Sequence, residues 1–162
     1  MTVSTLEIGL SDEVAVDLWE SQELAHRLLG SQRSTPRFVP GPEAIQALSE
    51  ELLPDWYEEW VLVEAEEWRQ LRLHALEALS ERLTAHKQYG DATAAALSAV
   101  RVEPLRESPR AALIRIHIAE GNPSEALREF ARYDALLKVE LGVEPTDRLR
   151  DLVAGLGATS AS

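Results

Sequence analysis

The chain has 162 residues, enough for one domain with a proper core. It contains no cysteine, no apolar run near 18 residues and no basic-then-apolar N-terminus. Disulfides and thiolate metal sites are thereby excluded, no membrane-spanning helix or signal peptide is expected, and a cytoplasmic protein is the simplest reading. The formal net charge is −12, and it is lopsided: residues 1–70 carry 15 acids against four bases, residues 71–162 carry 13 against 12. Such a surface repels a phosphate backbone, so the chain by itself is not expected to bind DNA. The acid excess is either a solvated, solubilising face or one that meets a basic protein partner.

Thr2 to Leu10 alternates loosely through Val3, Leu6, Ile8 and Leu10, which predicts a short strand or an extended tail. A lone strand has no stability in water, so residues 1–11 read as the remnant or linker of something upstream. Asp17 to Leu29 follows as an amphipathic helix, with Leu18, Leu24, Ala25, Leu28 and Leu29 on its apolar stripe and Gly30 as C-terminal cap. Trp19 lies off that stripe and is expected to cover a second contact. Ser31 to Pro42 holds three prolines and a glycine and predicts a loop. A short helix is expected over Glu43–Leu53, entered through Pro42 and ended before Pro54.

Asp55, with Glu58 three residues on, suits a helix start. Around it Trp56, Tyr57 and Trp60 form an aromatic cluster, expected as core that fastens one helix layer to the next rather than as a binding platform. From Glu58 the helical pattern runs unbroken to about His86, through Val61, Ala65, Trp68, Leu71, Ala75 and Leu79. One helix of that length can brace a front layer and also open the next unit.

That unit repeats. Shifted by 34 residues, Leu79 lands on Leu113, Leu83 on His117, Ala92 on Ala126 and Ala96 on Phe130. Each copy pairs two helices: Leu76, Leu79 and Leu83 share one face, Tyr89 and Gly90 are expected as the turn, and Ala92, Ala96 and Ala99 share the next face before Pro104 closes the unit. A period of 34 with two helices is the tetratricopeptide signature. Alanine at positions 92 and 99 lets helix axes approach closely. Ser80 and Ile114 stand where the pattern has small residues, which predicts a variant repeat with slightly separated pairs. The fold expected is all-α, a right-handed tetratricopeptide-like stack of antiparallel helix pairs with six to eight helices in all. Repeats cover about 72–105 and 106–141, flanking helices cap them, and 155–162 is a flexible tail. Ser108-Pro109 and Asn122-Pro123 are expected helix starts, the latter with a capping box through Glu125. Gly142 stops the second unit, and Pro145 leads into a last short helix, Thr146 to Val153.

No catalytic or metal constellation stands out. The histidines, at 26, 74, 86 and 117, have no ligand spacing, no glycine-rich phosphate loop exists, and Asn122-Pro123-Ser124 is not a glycosylation acceptor. His117 falls at an apolar repeat position and is expected as a partly buried, hydrogen-bonded core residue. No enzyme activity and no cofactor are expected.

Several runs nevertheless point to one family. Glu81-Arg82-Leu83, Tyr89-Gly90-Asp91-Ala92, Glu103-Pro104-Leu105-Arg106-Glu107, Ala119-Glu120-Gly121-Asn122, Glu125-Ala126-Leu127-Arg128, Phe130, Tyr133 and Glu140-Leu141-Gly142-Val143-Glu144-Pro145 resemble the bacterial transcriptional activator domain (BTAD). Leu52-Leu53-Pro54-Asp55-Trp56-Tyr57, Trp60-Val61-Leu62 and Arg69-Gln70-Leu71-Arg72 are similar to the same family, which belongs to the Streptomyces antibiotic regulatory protein (SARP) type of activator. The resemblance covers about residues 12–154. It implies a helical domain that normally follows a winged-helix DNA-binding domain, absent here, and that works by dimerisation or by contact with the transcription machinery, such as RNA polymerase subunits. On the repeat geometry, the exposed side of the first helices offers a groove for a protein partner: His74, Glu77 and Glu81, then Arg106, Ser108, Ala111 and Arg115. Leu79, Ala92, Ala99, Pro104, Leu113, Ala126 and Phe130 are the structural repeat positions. Two other readings fit the same residues: a free-standing adaptor or sequestering protein, and a small-molecule sensor with Trp56, Tyr57 and Trp60 as pocket wall.

Overall fold

The computed structural model describes residues 17–30 and 40–156. Seven helices lie among them: α1 Asp17–Gly30, α2 Pro42–Ser49, α3 Glu59–Ala85, α4 Tyr89–Val102, α5 Glu107–Glu120, α6 Pro123–Glu140 and α7 Asp147–Ala154. There is no strand among the described residues; the one expected at 2–10, most of the loop expected at 31–42 and the end of the C-terminal tail fall outside them.

The helices stack in pairs. α3 packs on α4, α5 on α6, and α4 bridges to α5 while α3 also touches α5. In front of them α1 packs on α3 and α2 on α4, so α1 and α2 stand to α3 and α4 as a third pair. Behind, α7 covers α5 and α6. The sequence period reveals two pairs; the third carries no copy of the repeat residues and is visible only from what it covers.

The repeat positions fall in two buried cores. Leu76, Leu79 and Leu83 are buried on α3 against Ala92, Ala95, Ala96 and Ala99 of α4, all four alanines without solvent exposure. Leu113 joins the same core, whereas Ala126, Tyr133 and Leu137 make a second core with Ala111, Ile114, Leu149 and Val153, and Phe130 is half-buried against it. A methyl side chain at 92 and 126 is what brings α4 and α6 down onto their partners. Ser80, fully buried, returns its hydroxyl to the Glu77 carbonyl at 2.8 Å and so leaves no unpaired donor in the seam.

Several local expectations are corrected. The turn between α3 and α4 lies at His86–Gln88, and Tyr89 and Gly90 already belong to α4. The reversal is made by Lys87, at φ 61°, with the Lys87 N–H on the Thr84 carbonyl and the Gln88 N–H on the Leu83 carbonyl. α2 ends at Ser49 rather than Leu53, because the Ser49 and Glu50 carbonyls are claimed from outside: Arg72 Nη1 donates to both, at 2.8 and 3.1 Å, and Trp68 Nε1 to Glu50 at 2.9 Å. α3 begins at Glu59, since Asp55 is taken into a turn in which the Trp56 N–H meets the Leu53 carbonyl. Ser108 lies inside the first turn of α5, which starts at Glu107. Asn122 makes no side-chain cap, and its amide N–H donates to Glu120 at 2.9 Å. That bond also occupies the carboxylate nearest His117, whose buried Nδ1 has no hydrogen-bond partner among the described residues, contrary to expectation. Trp19, expected at a second contact, is exposed, and so are Trp56, Tyr57 and Trp60, expected as core. The tryptophan that fastens the layers is Trp68.

Arginines of α3 tie the front pair down. Arg82 donates to the Leu28 carbonyl near the end of α1, and Arg72 does the same for α2, so each cation meets the negative end of a helix. Arg69 joins Glu103, just past α4, to Glu66 on its own helix. In the second pair Arg110 is matched with the nearly buried Glu129 and lies over the Tyr133 ring, whose hydroxyl donates to the Leu105 carbonyl at 2.8 Å.

Candidate functional site

α5 packs against both α3 and α7, and between the three runs a groove. One hollow of about 340 Å³ has Glu77 and Glu81 of α3 on one wall, Ser108 and Arg115 of α5 on the other, and Arg148, Leu149 and Leu152 of α7 closing it. A second hollow of about 440 Å³ continues it over Ser80 and Thr84 and shares Glu81, Ala112, Arg115 and Arg148. Ala111 and Ala112 form the floor; Ala111 was expected on the exposed side and is instead buried there, where its small size makes the depth.

Of the seven groove residues expected from the sequence, five line the first hollow: Glu77, Glu81, Ser108, Ala111 and Arg115. His74 and Arg106 are not part of its lining and lie beside Glu77. His74 Nδ1 is 3.5 Å from Glu77 Oε2, Arg106 Nε is 3.9 Å from Oε1, and the Ser108 hydroxyl donates to Oε1 while accepting from Arg106 Nε at 3.0 Å. Glu77 is therefore the held member of the acidic wall, and Glu81 is exposed beside it.

The opposite wall is cationic. Arg115 and Arg148 are both exposed, and among the described residues neither has an ion pair or a side-chain hydrogen bond. α7 brings Arg148 to this place because Glu107, at the head of α5, receives both the Thr146 backbone N–H, at 2.9 Å, and the Thr146 hydroxyl. Thr146 in turn caps α7 by accepting from the Leu149 N–H at 3.4 Å, and Leu149 is buried against the second core. Glu107, Arg148, Leu149 and Leu152 escape a reading based on the repeat, since α7 is not a copy of it. The threonine-then-acid start after Pro145 is the one local signal that a helix returns here.

The arrangement presents carboxylates on one side, guanidiniums on the other and an alanine floor between. Opposed charges at a fixed spacing are a chemistry that polypeptide segments can match. No group of three His, Asp or Glu suited to a metal ion occurs among the described residues, and no helix among them is long and apolar enough to cross a membrane. A larger hollow, about 850 Å³ between α1 and α2, is lined by Leu53, Pro54 and Trp68 but not by Trp56, Tyr57 or Trp60, so those three do not form its wall.

A family model described as "Bacterial transcriptional activator domain" matches residues 13–156. No curated protein matches the chain.

Proposed function

The chain belongs to the bacterial transcriptional activator domain family, and from that premise we propose that it works by protein contact, through the groove between α3, α5 and α7. The family is one of transcription regulators rather than enzymes. The observation that supports the groove is the pair Arg115 and Arg148, two cations facing Glu77 and Glu81 across a small-residue floor with no partner of their own. A segment that lays carboxylates toward the arginines and a base toward Glu77 and Glu81 satisfies both walls at once. RNA polymerase subunits, in the cytoplasm, are the partners this reading favours, with a second copy of the domain as the competing occupant. The acidic surface, net −12, speaks against direct DNA binding by these residues.

The experiment is binding of purified RNA polymerase to the immobilised chain, compared with Arg115→Glu/Arg148→Glu and with Arg106→Glu/Arg115→Glu. Both variants are expected to lose affinity by at least about tenfold, as for truncated or reversed interfacial charges, with an unaltered melting temperature. Equal affinity of the variants would remove the groove from the reading. Absence of polymerase binding, together with concentration-dependent self-association lost in the same variants, would give the groove to a second copy.

A further inference from the structure

The first two turns of α3 carry a surface that the groove does not use. Only Val61, Ala65 and Trp68, spaced four and three residues apart, turn inward; the rest of the helix circumference from Glu59 to Glu67 is exposed. On it and just before it stand Trp56, Tyr57 and Trp60, exposed to 54%, 81% and 60%, with Leu62 and Val63 exposed beside them. An exposed run of large apolar side chains on one short segment marks an interaction surface. This one is also rigidly based. Trp68 is buried with its indole N–H on Glu50, and Arg69 fixes Glu66 and Glu103 together directly behind it.

The charge around the aromatics selects the occupant. Between Glu50 and Trp68 there are eight carboxylates and no Lys, Arg or His. Glu51 and Glu66 are paired with Arg72 and Arg69; the other six have no ion pair among the described residues. A second copy would set acid against acid, and an anionic lipid surface would be repelled in the same way. A guanidinium answers both features, since its face stacks on indole and phenol rings while its edge meets carboxylates. We propose that this aromatic, acid-rimmed end of α3 docks an arginine-rich amphipathic segment of a partner protein, at a site separate from the groove.

The test uses the whole chain and a synthetic amphipathic helical peptide of leucine and arginine, followed by calorimetry near physiological salt. A matched peptide with glutamate for arginine is the control. Trp56→Ser/Trp60→Ser changes no charge and removes only exposed side chains. It is expected to weaken the arginine peptide by about tenfold, the scale of two lost cation–π contacts, with no change in melting temperature. Glu58→Gln/Glu59→Gln/Glu64→Gln is expected to weaken it similarly while leaving the aromatics in place. Unaltered affinity in the tryptophan variant would mean that only diffuse charge attracts the peptide, and would overturn the proposal. So would equal binding of the glutamate peptide, absence of binding at millimolar peptide, or tryptophan-dependent dimerisation of the chain alone. The groove variants described above do not touch these residues, so either surface can fail without the other.

Discussion

Lys87 and Gly121 hold the same left-handed backbone conformation one repeat apart, at φ 61° and 88°, and close the first helix of each unit in the same way. In both turns the residue itself donates three residues back, Lys87 to Thr84 and Gly121 to Ile118. The next residue donates five back, Gln88 to Leu83 at 2.9 Å and Asn122 to His117 at 2.8 Å. Glycine enters this conformation freely, whereas a side chain crowds the following carbonyl. The second unit has the favoured residue and the first does not.

Lys87→Gly should therefore stabilise the domain, by about 0.5–1 kcal/mol once the extra freedom of glycine in the unfolded chain is set against the relieved strain. The mirror change, Gly121→Ala, should destabilise by a similar amount, about 0.5–1 kcal/mol, through backbone conformation and unfolded-chain freedom only, because nothing lies within 4 Å of where its Cβ would stand. Urea titration of the two variants reads both signs; a stabilised Gly121→Ala would refute the shared turn.

The alanine seams make a second prediction. Ala92 and Ala126 are both fully buried at equivalent places, one in each core. Leucine at either position must push α4 from α3 or α6 from α5, at a cost of about 1–3 kcal/mol or more. Ala92→Leu and Ala126→Leu should each lower the urea midpoint, whereas Ala94→Leu, on the exposed side of α4, should leave it nearly unmoved. A midpoint indifferent to all three would mean that the pairs are not closely packed.

Acid titration tests the base of the aromatic end. Hydrogen bonds from Arg69, then Gln70, hold the Glu66 carboxyl at about 2, against an ordinary 4.5. Bonds to Glu66, then Glu103, push the Arg69 guanidinium up. A carboxyl held low in the folded state favours folding above pH 4.5, and its contribution disappears as the pH falls from there toward about 2. Arg69→Gln should return the Glu66 carboxyl toward its ordinary range, read by carbon-13 NMR of the carboxyl. A Glu66 titration already near 4.5 in the unaltered chain would contradict the contact.

The sequence by itself determined the parts of this protein that obey a period. Buried leucines and alanines at helical spacing, repeated after 34 residues, leave one way to pair α3 with α4 and α5 with α6, because each face is apolar only along that stripe. The same register placed Glu77, Glu81, Ser108 and Arg115 on one side of the stack. What lies over a face is not periodic, and there only the tertiary structure decided. Trp56, Tyr57 and Trp60 look like core in sequence, yet no other element among those described covers them, while Trp68 is buried because the end of α2 lies against it. Arg148 enters the groove through a contact between Glu107 and Thr146, 39 residues apart. Burial and long-range hydrogen bonds depend on which segments meet, and a local pattern states only which segments are able to.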